Sequence, residues 1–135
     1  MSKLKENNFI KIKICGITQK ETVNFLAKNP IDYFGLIFYE KSPRFIDLQN
    51  ATELVNISKD TKLKAVGVFV NHSLIDIQKY IKKLNLKFIQ LHGDENELYI
   101  NKLKNNNEVT VIKSIGIRSL HDLKLTQNYK SVDIF

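Results

Sequence analysis

The chain is 135 residues long, 43% apolar and formally +7, enough for one domain spanning residues 1–135 with a core of its own. It has no run near the roughly 18 consecutive apolar residues of a membrane helix, no apolar leader in its polar start at Met1 to Asn8, and a single cysteine, which excludes a disulfide framework and fits a reducing cytoplasm. Its lysines recur singly or in pairs and its arginines fall at Arg44 and Arg118, a solvated basic surface rather than a nucleic-acid patch, though one that suits a small anionic substrate.

An apolar run from Phe9 and Ile10 to Ile14 reads as a first strand, ending in Cys15-Gly16-Ile17-Thr18. Thr18 and Glu21 have capping-box spacing, which predicts a helix start there. Cys15 therefore falls at the end of a strand, where parallel α/β folds bind ligands and do chemistry; a small apolar core residue is the competing reading. Val23, Leu26 and Ala27 form one helical face, and Asn29-Pro30 stops it. Tyr33 to Phe38 is a second strand, Glu40 to Arg44 a loop, and Asp47 a cap for a helix that buries Ala51, Leu54 and Val55.

The unit then repeats. Ala65 to Val70 is a third strand, Ser73 a cap, and Leu74, Ile77, Ile81 and Leu84 the stripe of a third helix. Phe88 to Leu91 is a fourth strand closing on His92-Gly93, and Asp94 and Glu97 open a helix carrying Leu98 and Leu103. Val109 to Ile112 is a fifth strand, Ser119 to Asp122 begins a fifth helix, and Val132 to Phe135 reads as the start of a sixth strand. Strands apolar on both faces that alternate with helices mean a parallel sheet covered by helices. An open doubly wound sheet and a (β/α)8 barrel both satisfy this pattern. Length alone favours the open sheet, since a barrel typically takes about 250 residues.

The strand ends carry more than length. Lys13-Ile14-Cys15-Gly16-Ile17-Thr18, Gly35-Leu36-Ile37-Phe38-Tyr39 with Lys41-Ser42-Pro43-Arg44, Val66-Gly67-Val68-Phe69-Val70-Asn71, Ile89-Gln90-Leu91-His92-Gly93-Asp94-Glu95 and Val111-Ile112-Lys113-Ser114-Ile115-Gly116 resemble, in order, the strand-end motifs of phosphoribosylanthranilate isomerase. The resemblance implies an α/β fold, an incomplete (β/α)8 TIM barrel of about five βα units plus the start of strand six. It implies an isomerase of tryptophan biosynthesis that performs an Amadori rearrangement of N-(5'-phosphoribosyl)anthranilate with no cofactor or metal. Ring opening followed by proton removal needs a general acid and a general base.

By the same resemblance Cys15 is the base, and a helix start behind it favours a thiolate. Lys13 alternates onto the same side of the strand as Cys15 and is expected beside the substrate. Arg44 matches the arginine that holds the anthranilate carboxylate, a task suited to its planar fork of donors. Gln90 and His92 match residues lining the substrate site. His72 and His121 read as solvated or capping histidines. The family's general acid aligns just past Phe135, and Asp133 lies too early for that role, so residues 1–135 alone are expected to lack the acid and the phosphate site. They are expected to be inactive and to self-associate through open edges. The alternative is a flavodoxin-like or half-barrel binding module that does not catalyse.

Overall fold

The computed structural model describes residues 10–135, so the Phe9 end of the expected first strand lies outside the described residues. Five strands alternate with five helices: β1 (Lys13–Cys15), α1 (Lys20–Ala27), β2 (Tyr33–Ile37), α2 (Leu48–Ser58), β3 (Lys64–Phe69), α3 (Leu74–Leu84), β4 (Phe88–Leu91), α4 (Glu97–Asn105), β5 (Thr110–Lys113) and α5 (Leu120–Lys124). All strand pairs are parallel and their spatial order is the order of the chain. That order decides the architecture. A doubly wound sheet reverses at a switch point, whereas sequential right-handed crossovers place every helix on one face. Accordingly α1 packs on α2, α2 on α3 and α3 on α4. The result is a curved, unclosed part of a TIM-type barrel, as expected.

The outer face of the sheet supplies Phe34, Leu36, Phe69, Ile89, Leu91 and Val111 to one core with Val23, Leu26, Leu54, Ile77 and Leu103 of the helices. Each such large side chain contributes roughly 1.5–3 kcal/mol relative to exposure. The inner face is less open than an unclosed barrel suggests. Tyr33 and Phe88 meet edge to face, 5.0 Å between centroids, across β3, and Val66 and Val68 beside them are 0% and 3% exposed.

The caps show where local signals win. Asp47 accepts from Asn50 N at 2.8 Å and Ser73 from Asp76 N at 3.1 Å, and Ser119 and Asp122 form a capping box. Thr18 caps nothing. Gly16, at φ +80°, turns the chain so that its N–H and that of Ile17 both donate to Gly35 O, and α1 starts only after Gln19. Asp94 is likewise replaced: Asn96 caps α4, accepting from Tyr99 N, while Asp94 pairs with the Asn71 side chain. With the helix starting at Glu97, Ile100 and Leu103 turn inward and Leu98 is left 61% exposed.

The expected sixth strand is one bridge, Ile112 to Ile134. Lys113 N donates to Ile134 O at 2.9 Å, and Val111 N donates to the Asp133 carboxylate at 2.7 Å. Asp133 also takes both carboxylate contacts of Lys104 at 2.7 Å. Its burial opposes the charge, but the Lys104 and Val111 hydrogen bonds outweigh it and hold its pKa below the ordinary carboxylate value. An ionised, edge-sealing carboxylate is no general acid at neutral pH.

Candidate functional site

The strand-end residues gather into two clusters at the C-terminal edge of the sheet. In the first, β1 is in register with β2 so that Lys13 lies opposite Tyr33 and Cys15 opposite Gly35. Both side chains therefore stand on the inner face, as alternation predicts. Gly35 makes the room: a Cβ there would lie 2.7 Å from Cys15 Sγ and 3.1 Å from Lys13 Nζ. The ammonium and the thiol thus converge over one glycine, and both residues are half-buried.

Arg44 closes this cluster from above. The loop after β2 folds back through Phe45 N to Ser42 O and Ile46 N to Ile37 O, and Arg44 N donates to Ser42 Oγ at 3.2 Å. The guanidinium lies over Gly16, where a Cβ would fall 2.6 Å from Nη1, and Nη1 donates to Cys15 O at 2.9 Å. Gly16 is required twice, for its positive φ and for this close approach. The arginine is exposed, so its other donors face the mouth of the sheet.

The second cluster sits on β4 and β5. Gln90 Nε2 donates to Ser114 Oγ at 2.6 Å. His92 follows by alternation; its backbone N–H extends the ladder to Phe69 O at 2.9 Å and its side chain is exposed. β3 lies between the two clusters, both of which stand at the C-terminal ends of the strands. His72 belongs to neither. Its Nδ1 accepts from Val70 N at 3.3 Å and its ring stands edge-on to Phe69, a packed histidine rather than a solvated one. His121 is exposed.

Three polar residues of this end escaped sequence reasoning: Ser114, Glu95 and Lys113. Glu95 and Lys113 form an ion pair at 3.6 Å with both side chains 2% exposed. Their one signal in the sequence is a lysine directly behind the apolar run Val109 to Ile112.

Among the described residues no three His, Cys, Asp or Glu side chains converge as metal ligands, and no helix is long and apolar enough to cross a membrane. A cavity of about 440 Å³ opens at the opposite end of the sheet, with Lys59, Lys64, Lys83 and Lys87 around Leu63 and Leu84. It is remote from both clusters, because β3 and β4 begin there rather than end.

A family model described as N-(5'phosphoribosyl)anthranilate (PRA) isomerase matches residues 12–135. The N-(5'-phosphoribosyl)anthranilate isomerase of Caldanaerobacter subterraneus subsp. tengcongensis is 41% identical over 126 residues, 93% of this chain and 59% of that protein. The crystal structure of phosphoribosyl anthranilate isomerase from Thermotoga maritima matches with a TM-score of 0.86 at 31% identity, over 93% of this chain and 60% of that one. A phosphoribosyl anthranilate isomerase in complex with reduced 1-(o-carboxyphenylamino)-1-deoxyribulose 5-phosphate matches at 0.82 and 32% identity, over 92% and 62%. The chain therefore spans less than two thirds of each relative's length.

Proposed function

The chain belongs to the N-(5'-phosphoribosyl)anthranilate isomerase family, and from that premise we propose that it supplies the first five βα units of a barrel that isomerises N-(5'-phosphoribosyl)anthranilate in tryptophan biosynthesis. The observation that carries this reading is the convergence of Lys13 and Cys15 over Gly35 with Arg44 directly above. Cys15 is the general base that removes the sugar proton once the ring has opened. Lys13 stabilises negative charge beside it. Arg44 holds the anthranilate carboxylate with the guanidinium donors left free of Cys15 O, which suits bidentate pairing. Gln90 and His92 form the opposite wall, with no cofactor or metal involved. A relative's complex with a reduced carboxyphenylamino-deoxyribulose phosphate supports a substrate of this chemical class.

The acid that protonates the ring oxygen and the groups that hold the phosphate are not assigned within residues 1–135. These residues on their own are inactive for want of those groups, and they associate, because Ile10 and Ile12 ahead of β1, Ile14 within it, and Leu120 and Leu123 of α5 are exposed. The experiment is a mixing assay followed by loss of the substrate's anthranilate fluorescence. Residues 1–135 alone should show no turnover, and addition of a fragment carrying the last three βα units of a relative should restore it. Full activity of a monodisperse monomer of residues 1–135 would overturn the division of labour. No activity from any such reconstituted barrel would overturn the function.

A further inference from the structure

We infer that Glu95 and Lys113 are positioning residues for His92, clasping the end of β4 so that the imidazole enters the mouth of the barrel from a fixed backbone. The inference rests on the proposed reading of His92 as a wall of the substrate site. Lys113 Nζ donates to Gly93 O at 2.7 Å and to Leu91 O at 3.4 Å, the carbonyls on either side of His92. The Glu95 carboxylate accepts from Gly93 N at 2.9 Å and from Asn71 N at 2.7 Å. His92 N is itself held by Phe69 O. Both neighbours of the histidine are thus tied to one buried pair, which also binds the loop after β3 to the loop after β4.

A buried ion pair is a poor choice for stability alone, because two apolar side chains fill the same space without desolvating charge. What the pair supplies is direction: donors and acceptors aimed at the peptide groups that flank His92. The same ammonium donates to Ser114 O at 3.2 Å, and Ser114 carries the hydroxyl that orients Gln90. One ion pair therefore sets both residues of the second cluster. Tyr129 reinforces it from the outside, donating to Glu95 O at 3.2 Å with its ring 6.0 Å from Lys113 Nζ.

The test is a double-mutant cycle of Glu95→Gln and His92→Ala in the reconstituted barrel, read as kcat/KM. Glu95→Gln keeps the volume, and loss of placement should lower kcat/KM by up to about 10²-fold. In the His92→Ala background the same substitution should cost almost nothing, since the residue it positions is gone. Equal losses in both backgrounds would make the pair merely structural and overturn the inference. A second readout is independent of activity: amide exchange at Gly93 and Asn71 should accelerate in Glu95→Gln, and unchanged exchange there overturns the clasp. A wild-type barrel without isomerase activity would strike at the functional reading instead, and the exchange result would still decide for or against the clasp.

Discussion

The two clusters of the site are held in place by different means. At β1 and β2, Lys13, Cys15 and Arg44 are set by backbone shape: Gly35 leaves room, Gly16 turns the chain, and one hydrogen bond joins Arg44 to Cys15 O. At β4 and β5, Gln90 and His92 rest on a buried ion pair and its hydrogen bonds. The difference follows from the neighbours. β4 has a strand on each side, whereas β1 has only β2 among the described residues. A buried charge is sustained only where partners surround it, and Lys113, although on the terminal strand β5, is enclosed by Glu95 and by the carbonyls of Leu91, Gly93 and Ser114.

The largest effect expected from this contrast lies at Lys113. Lys113→Met leaves Glu95 buried without its partner and should cost about 3–5 kcal/mol in denaturant unfolding; an unshifted midpoint would erase the distinction between the clusters. Cys15→Ser should do the reverse. In the reconstituted barrel, turnover falls by at least ~10²-fold, the scale of a general base, while the melting temperature stays within a degree or so of wild type. Turnover near wild type would return Cys15 to the status of a core residue.

Arg44→Ala should weaken product binding by about 1.5–3 kcal/mol, measured by titration, and Arg44→Lys should recover part of it because an ammonium cannot pair bidentately. Identical affinities in all three proteins would remove Arg44 from the site. The smallest effect belongs to the outer edge of β5. The Asp133 pKa is lowered on folding, so its contribution is present above the ordinary value of 3.8 and is lost as pH falls through the lower folded value. Asp133→Asn should flatten that part of the acid-unfolding curve, and an unchanged curve would show that the edge is sealed by Ile134 alone.

Much of the fold was legible because it is periodic. The apolar runs placed β2 to β5 within a residue or two, and alternation put Lys13 and Cys15 on one face. Helix starts were legible where a cap stood clear of competing partners, as at Asp47, Ser73 and Ser119. They were not where a loop side chain had a distant claim on it: Asp94 went to Asn71, and the spacing of Thr18 and Glu21 was defeated by the turn at Gly16. Of the second cluster the sequence showed Gln90 and His92 but not what holds them, since Glu95 and Lys113 come from different βα units.

By itself, then, the sequence determined the alternation of strand and helix, the collection of its strand-end motifs at one edge and the family they belong to. These are local patterns, repeated at each unit and readable one unit at a time. Only the tertiary structure decided that Tyr33 and Phe88, at the starts of β2 and β4, meet across β3 on the inner face, and which lysine is buried. Those outcomes depend on strand pairing and on charges meeting across the sheet, and a lysine's partner is settled by which carboxylate the folded chain brings to it rather than by anything beside it in the chain.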